Sequence, residues 1–161
     1  MIFAAKRYGA NEVYYYKLGD EKTAKTGSYI SFTERSTPEF NKNADNLEFI
    51  CYGRSGDNND DIGGVVTTNA IDITNINYLS FVMDLLTPHS GDSVQICIFS
   101  DTSGTIVASE TYATAFTGET KVLDVSAYSG SYYIGFRLGN SESSSGDVST
   151  KVYEIYGSKT V

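Results

Sequence analysis

The chain has 161 residues and a formal net charge of −8, from 20 acidic against 12 basic side chains. No basic cluster is dense enough to follow a phosphate backbone, which argues against nucleic acid and anionic membrane surfaces as partners. No apolar run approaches the roughly 20 residues of a membrane-spanning helix, and Met1–Arg7 lacks the charged start, apolar stretch and cleavage site of a signal peptide, so membrane insertion and Sec-dependent secretion are not expected.

A length of 161 residues suits one domain over residues 1–161, and 13 Tyr with 8 Phe favour pleated surfaces over helices. Apolar and aromatic runs recur between Gly, Asn, Asp and Ser clusters. In chain order they predict ten strands: Glu12–Leu18, Ser28–Thr33, Leu47–Tyr52, Gly64–Thr68, Tyr78–Leu86, Ser93–Ser100, Thr105–Thr111, Thr120–Val125, Ser131–Leu138 and Val148–Tyr156. Between the second and third, Ser36-Thr37-Pro38-Glu39 has the Ser and Glu of a capping box with Pro at the first helical position, which predicts one helical turn at most. Pro88–Asp92, Asp101–Gly104, Thr117–Glu119 and the longer Gly139–Asp147 carry the turn residues expected between antiparallel strands.

Two strands alternate cleanly. Leu79, Phe81, Met83 and Leu85 share one face and Ser80 and Asp84 the other; Tyr132, Ile134, Phe136 and Leu138 oppose Tyr133, Gly135 and Arg137. Sheets apolar on one face only must pack against another such face, so the pattern predicts an all-β, two-sheet antiparallel sandwich. Cys51 and Cys97 lie inside apolar strands, with no neighbouring His to make a zinc site, and are expected to be buried thiols.

Catalytic signatures are thin. The single histidine, His89, sits in a turn, and no Gly-x-Ser-x-Gly elbow accompanies it. Acidic residues fall mostly in turns or at outward positions, so a pair of glycosidase carboxylates is not expected and the chain is read as non-enzymatic. Asp57, Asn59 and Asp61 repeat at the spacing that opens an EF-hand loop, and a structural calcium there is the one metal reading the sequence offers. The rest of that motif is missing, with Gly63 one residue late and Thr68 in the place of the bidentate Glu, so a plain solvated turn is the favoured reading and a sandwich-type calcium site the alternative. A binding patch is predicted from the final hairpin. If strands pair around Ser143, Tyr133 faces Tyr153 and Gly135 faces Lys151, with Arg137 close by on the same outward face.

Three stretches carry a resemblance: Thr67–Phe81 with its Ile71-Asp72-Ile73-Thr74 step, Val122–Phe136 with Leu123-Asp124-Val125-Ser126 and Gly130-Ser131-Tyr132-Tyr133-Ile134, and Leu18–Glu21 with Thr26–Tyr29. In Asp72 and Asp124 a carboxylate stands two residues before a Thr or Ser, a spacing at which short side chains satisfy turn backbone groups. These stretches resemble the jelly-roll modules of phage and prophage structural proteins, which are similar in fold to carbohydrate-binding modules. The resemblance implies a jelly-roll sandwich acting as a tail- or virion-associated module. Its partners would be other virion proteins or a host-surface glycan, it would repeat as a homo-oligomer, and it would be found on the virion or outside the cell after lysis. The alternative it leaves is a carbohydrate-binding module of a glycan-degrading or cell-surface system.

Overall fold

The computed structural model describes residues 13–17, 29–33, 37–52, 61–86, 91–140 and 147–161. These form twelve strands and, among the described residues, no helix: β1 (Val13–Lys17), β2 (Tyr29–Thr33), β3 (Glu39–Lys42), β4 (Leu47–Cys51), β5 (Asp61–Thr67), β6 (Ile71–Asp72), β7 (Tyr78–Leu86), β8 (Ser93–Phe99), β9 (Ile106–Tyr112), β10 (Phe116–Asp124), β11 (Ser131–Asn140) and β12 (Val148–Ser158). They make two six-stranded antiparallel sheets. The first runs β10-β7-β12-β4-β3, with β1 also on β12; the second runs β2-β5-β11-β8-β9, with β6 also on β11. The architecture is a jelly-roll β-sandwich.

Each sheet is organised by one long strand. One edge of β12 pairs with β7 along nearly its whole length, while its other edge takes β4 on the first half and β1 on the second. The second sheet repeats the device, with β11 paired to β8 on one side and to β5 then β6 on the other. All ten predicted strands are present. The two missed ones, β3 and β6, are short and carry few apolar residues.

The core lies between the sheets and is spanned by aromatic rings. Phe40 stacks on Phe49 at 5.3 Å between centroids, Phe49 on Phe136 at 4.9 Å, and Phe81 meets Phe136 edge-on at 5.6 Å. Phe40, Phe49 and Phe81 come from the first sheet and Phe136 from the second, so the stack crosses the gap. Such contacts add about 1 kcal/mol each beyond the area the rings remove from water. The place of Phe40 also explains why the expected helical turn does not form around Glu39. As a strand, residues 39–42 alternate, which carries the Phe40 ring onto Phe49 while their backbone completes the ladder with Glu39 opposite Ile50.

A second, smaller apolar cluster covers part of the outer face of the β11 sheet: Phe32, Val66, Cys97 and Phe99 are buried there, with Tyr133 packed against them. Phe32 lies directly over Gly64, where an added Cβ would fall 2.1 Å from the ring, so only a glycine lets the ring settle on the sheet. Cys51 belongs to the inter-sheet core and Cys97 to this outer cluster, so the two cysteines are buried thiols on different sides of a sheet and form no disulfide.

The turns follow the aspartate logic of the sequence. The Oδ1 atoms of Asp72, Asp101 and Asp124 accept the backbone N–H of Thr74, Ser103 and Ser126 at 2.9, 2.8 and 2.9 Å. Side-chain and backbone hydrogen bonds from Thr74, Thr105 and Ser126 hold the three carboxyls below their usual range. Thr117–Glu119 departs from expectation. It lies inside β10 rather than between strands, and Gly118, with φ of 63°, belongs to a bulge where the register slips between Phe116 and Glu119. Nearby, Lys121 Nζ sits 4.0 Å from the Phe116 ring centroid and 4.9 Å from that of Tyr112, across the open side of the sandwich between β9 and β10.

Because Phe136 touches rings that reach it from the opposite sheet, Phe136→Ala should lower unfolding free energy by about 4 kcal/mol in urea titrations. Ile106→Ala, at an exposed edge-strand position, should change it by less than about 0.5 kcal/mol.

Candidate functional site

The expected patch does not assemble. β11 and β12 belong to different sheets, so Tyr133 stands opposite Phe99 and Arg137 opposite Gln95 on the β11 sheet, while Lys151 stands opposite Asp84 and Glu48 on the β12 sheet. Tyr133 and Arg137 point to one outer surface of the sandwich, and Lys151 and Tyr153 to the other. The alternating pattern that prompted the pairing is the same for a hairpin within a sheet and for an arch between sheets, so it could not distinguish them. Arg137 donates from Nη1 to Gln95 Oε1 at 2.9 Å, and Gln95 donates on to Thr111 at 3.0 Å. Of the calcium candidates, Asp57 and Asn59 lie outside the described residues. Asp61 opens β5 opposite Asn140. His89 is also outside the described residues.

What the structure does assemble centres on the other half of the expected set, Lys151 and Tyr153, and on Asp84. Asp84 points outward from β7, where a solvated carboxylate would be expected, yet it is only 5% exposed. Two irregularities bracket it. On one side the β10 bulge turns the Gly118 N–H inward, donating to Asp84 Oδ1 at 2.6 Å. On the other, β12 carries a bulge between Val152 and Glu154, and its extra residue, Tyr153, donates its hydroxyl to Asp84 Oδ2 at 2.6 Å. A bulge re-aims a side chain at the expense of one ladder position, and here both re-aimings converge on one carboxylate. Thr150 Oγ1 donates to the Asp84 carbonyl at 2.6 Å and ties the same strands together from the core side.

A tyrosine standing upright on a sheet lifts its hydroxyl higher than an aspartate on the next strand can reach. The Tyr153 ring therefore leans across the outer face toward β7. Beside it, Lys151 Nζ lies 3.9 Å from Glu48 Oε1, and Asn43 Nδ2 donates to Glu48 Oε2 at 3.3 Å and to Asn46 Oδ1 at 2.9 Å. The result is an aromatic ring with an amide, a carboxylate and an ammonium on one surface. Ile50 and Leu86 are half-buried on the same face, and Tyr52, 46% exposed, donates to Glu39 at its margin.

Electrostatics follow from this geometry. Burial, the hydrogen bond to Asp84 and the negative charges of Asp84 and Asp45 push the Tyr153 phenol up to about 12. In the core, burial and then the charge of Asp72 push Tyr15 to about 12 as well.

The outer face of the β12 sheet thus sets an aromatic ring, two half-buried aliphatic side chains and charged and amide groups side by side on a jelly-roll sandwich. No protein-family model matches the chain, and no curated protein sequence matches it. Solved structures do. The chain is similar to a low-affinity xylan-binding module from Roseburia intestinalis, with a TM-score of 0.50 and 8% identity over 83% of this chain and 97% of that one. It is also similar to a family 11 carbohydrate-binding module from Clostridium thermocellum in complex with a β-1,3-1,4-mixed-linked tetrasaccharide, with a TM-score of 0.52 and 10% identity over 96% and 99%. At such identities the likeness is one of fold.

Asp84 and the Glu48–Asn43 contact were the parts sequence reasoning missed. The outward register of Asp84 was visible, but its burial depends on two bulges, and the sole local sign of either was Gly118.

The raised phenols give a pH dependence with a definite sign. Below pH 10 Tyr15 and Tyr153 are protonated in both folded and unfolded chains, so their contribution to stability is complete. Above it the unfolded chain ionises while the folded one resists until about pH 12, so stability falls as pH rises through that window. Urea midpoints measured across pH 10 to about 12 should drop for the wild type and drop less for Tyr15→Phe and Tyr153→Phe.

Proposed function

We propose that the chain is a non-catalytic glycan-binding module and that it binds through the outer face of the β12 sheet. The observation that carries this is the Tyr153 ring, leaned over the sheet beside Lys151, Glu48 and Asn43. Pyranose rings offer apolar faces to an aromatic side chain and a rim of hydroxyls to polar neighbours, and this surface supplies both. The fold it shares with modules described as binding xylan and a mixed-linked tetrasaccharide supports the reading. The same structures lend no support to a virion or tail-associated role.

Binding without cleavage fits the carboxylates. Asp84 and Glu48 flank Lys151 across neighbouring strands, roughly 10 Å apart from backbone to backbone by ordinary strand spacing, in the general range of a glycosidase pair. Both Asp84 oxygens, however, are already engaged, one by Gly118 N–H and the other by the Tyr153 hydroxyl. Asp84 is also only 5% exposed, which keeps its oxygens away from a sugar lying on the surface.

The test is a glycan array followed by titration calorimetry on the best ligands. Tyr153→Ala and Lys151→Ala should each weaken binding about tenfold or more, the loss typical of a central contact. Tyr133→Ala, on the opposite sheet, should leave it unchanged. A blank array, or an equal loss from Tyr133→Ala, would exclude this face as a glycan site.

A further inference from the structure

We propose that Asp84 is a positioning residue that presets Tyr153 as a hydrogen-bond acceptor and that its charge, together with that of Glu48, makes the face select uncharged sugars over uronic acids. The inference rests on the glycan-binding reading and adds to it a reason for ligand class.

The donor and acceptor inventory sets the polarity. A phenol has one O–H to give, and Tyr153 gives it to Asp84 Oδ2. What remains on that oxygen is its lone pairs, which accept. Were Asp84 absent, the hydroxyl could turn either way and meet a carboxylate as readily as an alcohol. Lys151 works in the opposite sense: its ammonium has three donors, and its ion pair with Glu48, at 3.9 Å and with about a third of the lysine side chain exposed, is too loose to consume them.

The outer face thus offers a fixed acceptor on Tyr153 and donors on Lys151, two residues apart on β12. A vicinal diol matches this pair, since one hydroxyl donates to Tyr153 while its neighbour accepts from Lys151. An ionised uronate keeps ring hydroxyls that can donate to Tyr153, so hydrogen bonding alone does not exclude it; its charge does. A uronate would bring its negative charge toward Asp84, which holds the phenol, and Glu48, two carboxylates on either side of the single ammonium of Lys151.

Both bulges matter to the arrangement. Gly118 N–H occupies the other Asp84 oxygen, so the carboxylate cannot swing away from Tyr153 without leaving a backbone donor unmatched. The positive φ of Gly118 is what lets the β10 backbone make that turn. The ring is therefore held from one side by β12 and from beneath by β7 and β10, before any ligand arrives.

Calorimetry with soluble xylan, mixed-linkage β-glucan and polygalacturonate on the wild-type chain, Asp84→Asn and Tyr153→Phe tests this. The wild type should bind one or both neutral polymers and not polygalacturonate. Tyr153→Phe, which keeps the ring and removes only the acceptor, should lose about tenfold toward the neutral polymer, the scale of one hydrogen bond. Asp84→Asn should lose at least as much, and in ultraviolet alkaline titration its Tyr153 should ionise closer to pH 10, a signature that general loosening of the fold would not confine to one tyrosine. If Asp84→Asn does not fold, the Tyr153→Phe comparison decides. A wild type that binds polygalacturonate as well as the neutral polymers overturns the selectivity, and unchanged neutral affinity in Tyr153→Phe or Asp84→Asn overturns the positioning role. No binding to any of the three polymers, with a blank glycan array, overturns the glycan reading itself and this inference with it.

Discussion

Everything on the outer surfaces depends on the aromatic stack that joins the two sheets. Phe40, Phe49 and Phe81 from one sheet converge with Phe136 from the other, with Tyr29 adding a further ring at 5.1 Å from Phe40 and 5.2 Å from Phe49. Rings are stiff and large, so such a stack fixes both the spacing of the sheets and the phase of each strand. With Phe81 and Leu85 committed to the interior, Asp84 has no choice but the outer face. With Val152 and Ile155 committed likewise, an even count along β12 would leave no room for Tyr153. The bulge absorbs the extra residue and sends its side chain outward, where it meets Asp84.

The sandwich was legible because period-two alternation is a property of single strands. Leu79, Phe81, Met83 and Leu85 announce their common face without reference to any other element, and the Asp72 and Asp124 turns are equally local. What was not legible is pairwise. The partner of β11 could not be read from β11, and an assumed hairpin with β12 merged two surfaces that lie on opposite sides of the molecule. β3 escaped notice because Glu39-Phe40-Asn41-Lys42 holds one apolar residue, which is too few to show a period, and because the capping pattern before it pointed elsewhere. The candidate site was half visible for the same reason: Lys151 and Tyr153 were legible as outward residues, while Asp84 became significant only once two distant bulges were known to meet on it.

The two outer faces differ in kind. On the β11 sheet, apolar side chains that point away from the main core gather into a cluster of their own under Phe32, and the polar strip from Arg137 through Gln95 to Thr111 is closed by its own hydrogen bonds. On the β12 sheet two polar outward residues are sunken: Ser80 and Asp84 are each 5% exposed although they point away from the core. Polar groups drawn below a surface and held by charge-assisted hydrogen bonds lose little freedom when a ligand arrives, which lowers the entropic penalty of binding.

The irregular edge of β10 has a consequence of its own. An unpaired outer strand is a template on which other chains can add strands and grow fibrils. Among the described residues β10 ends its sheet, and there it is bent by the Gly118 bulge, its exposed residues are mostly polar, and Lys121 places a charge over the aromatic gap beside β9. A second chain approaching this rim would meet a broken ladder and a buried-cation penalty. Copies of the domain can therefore be crowded together without zippering edge to edge through β10.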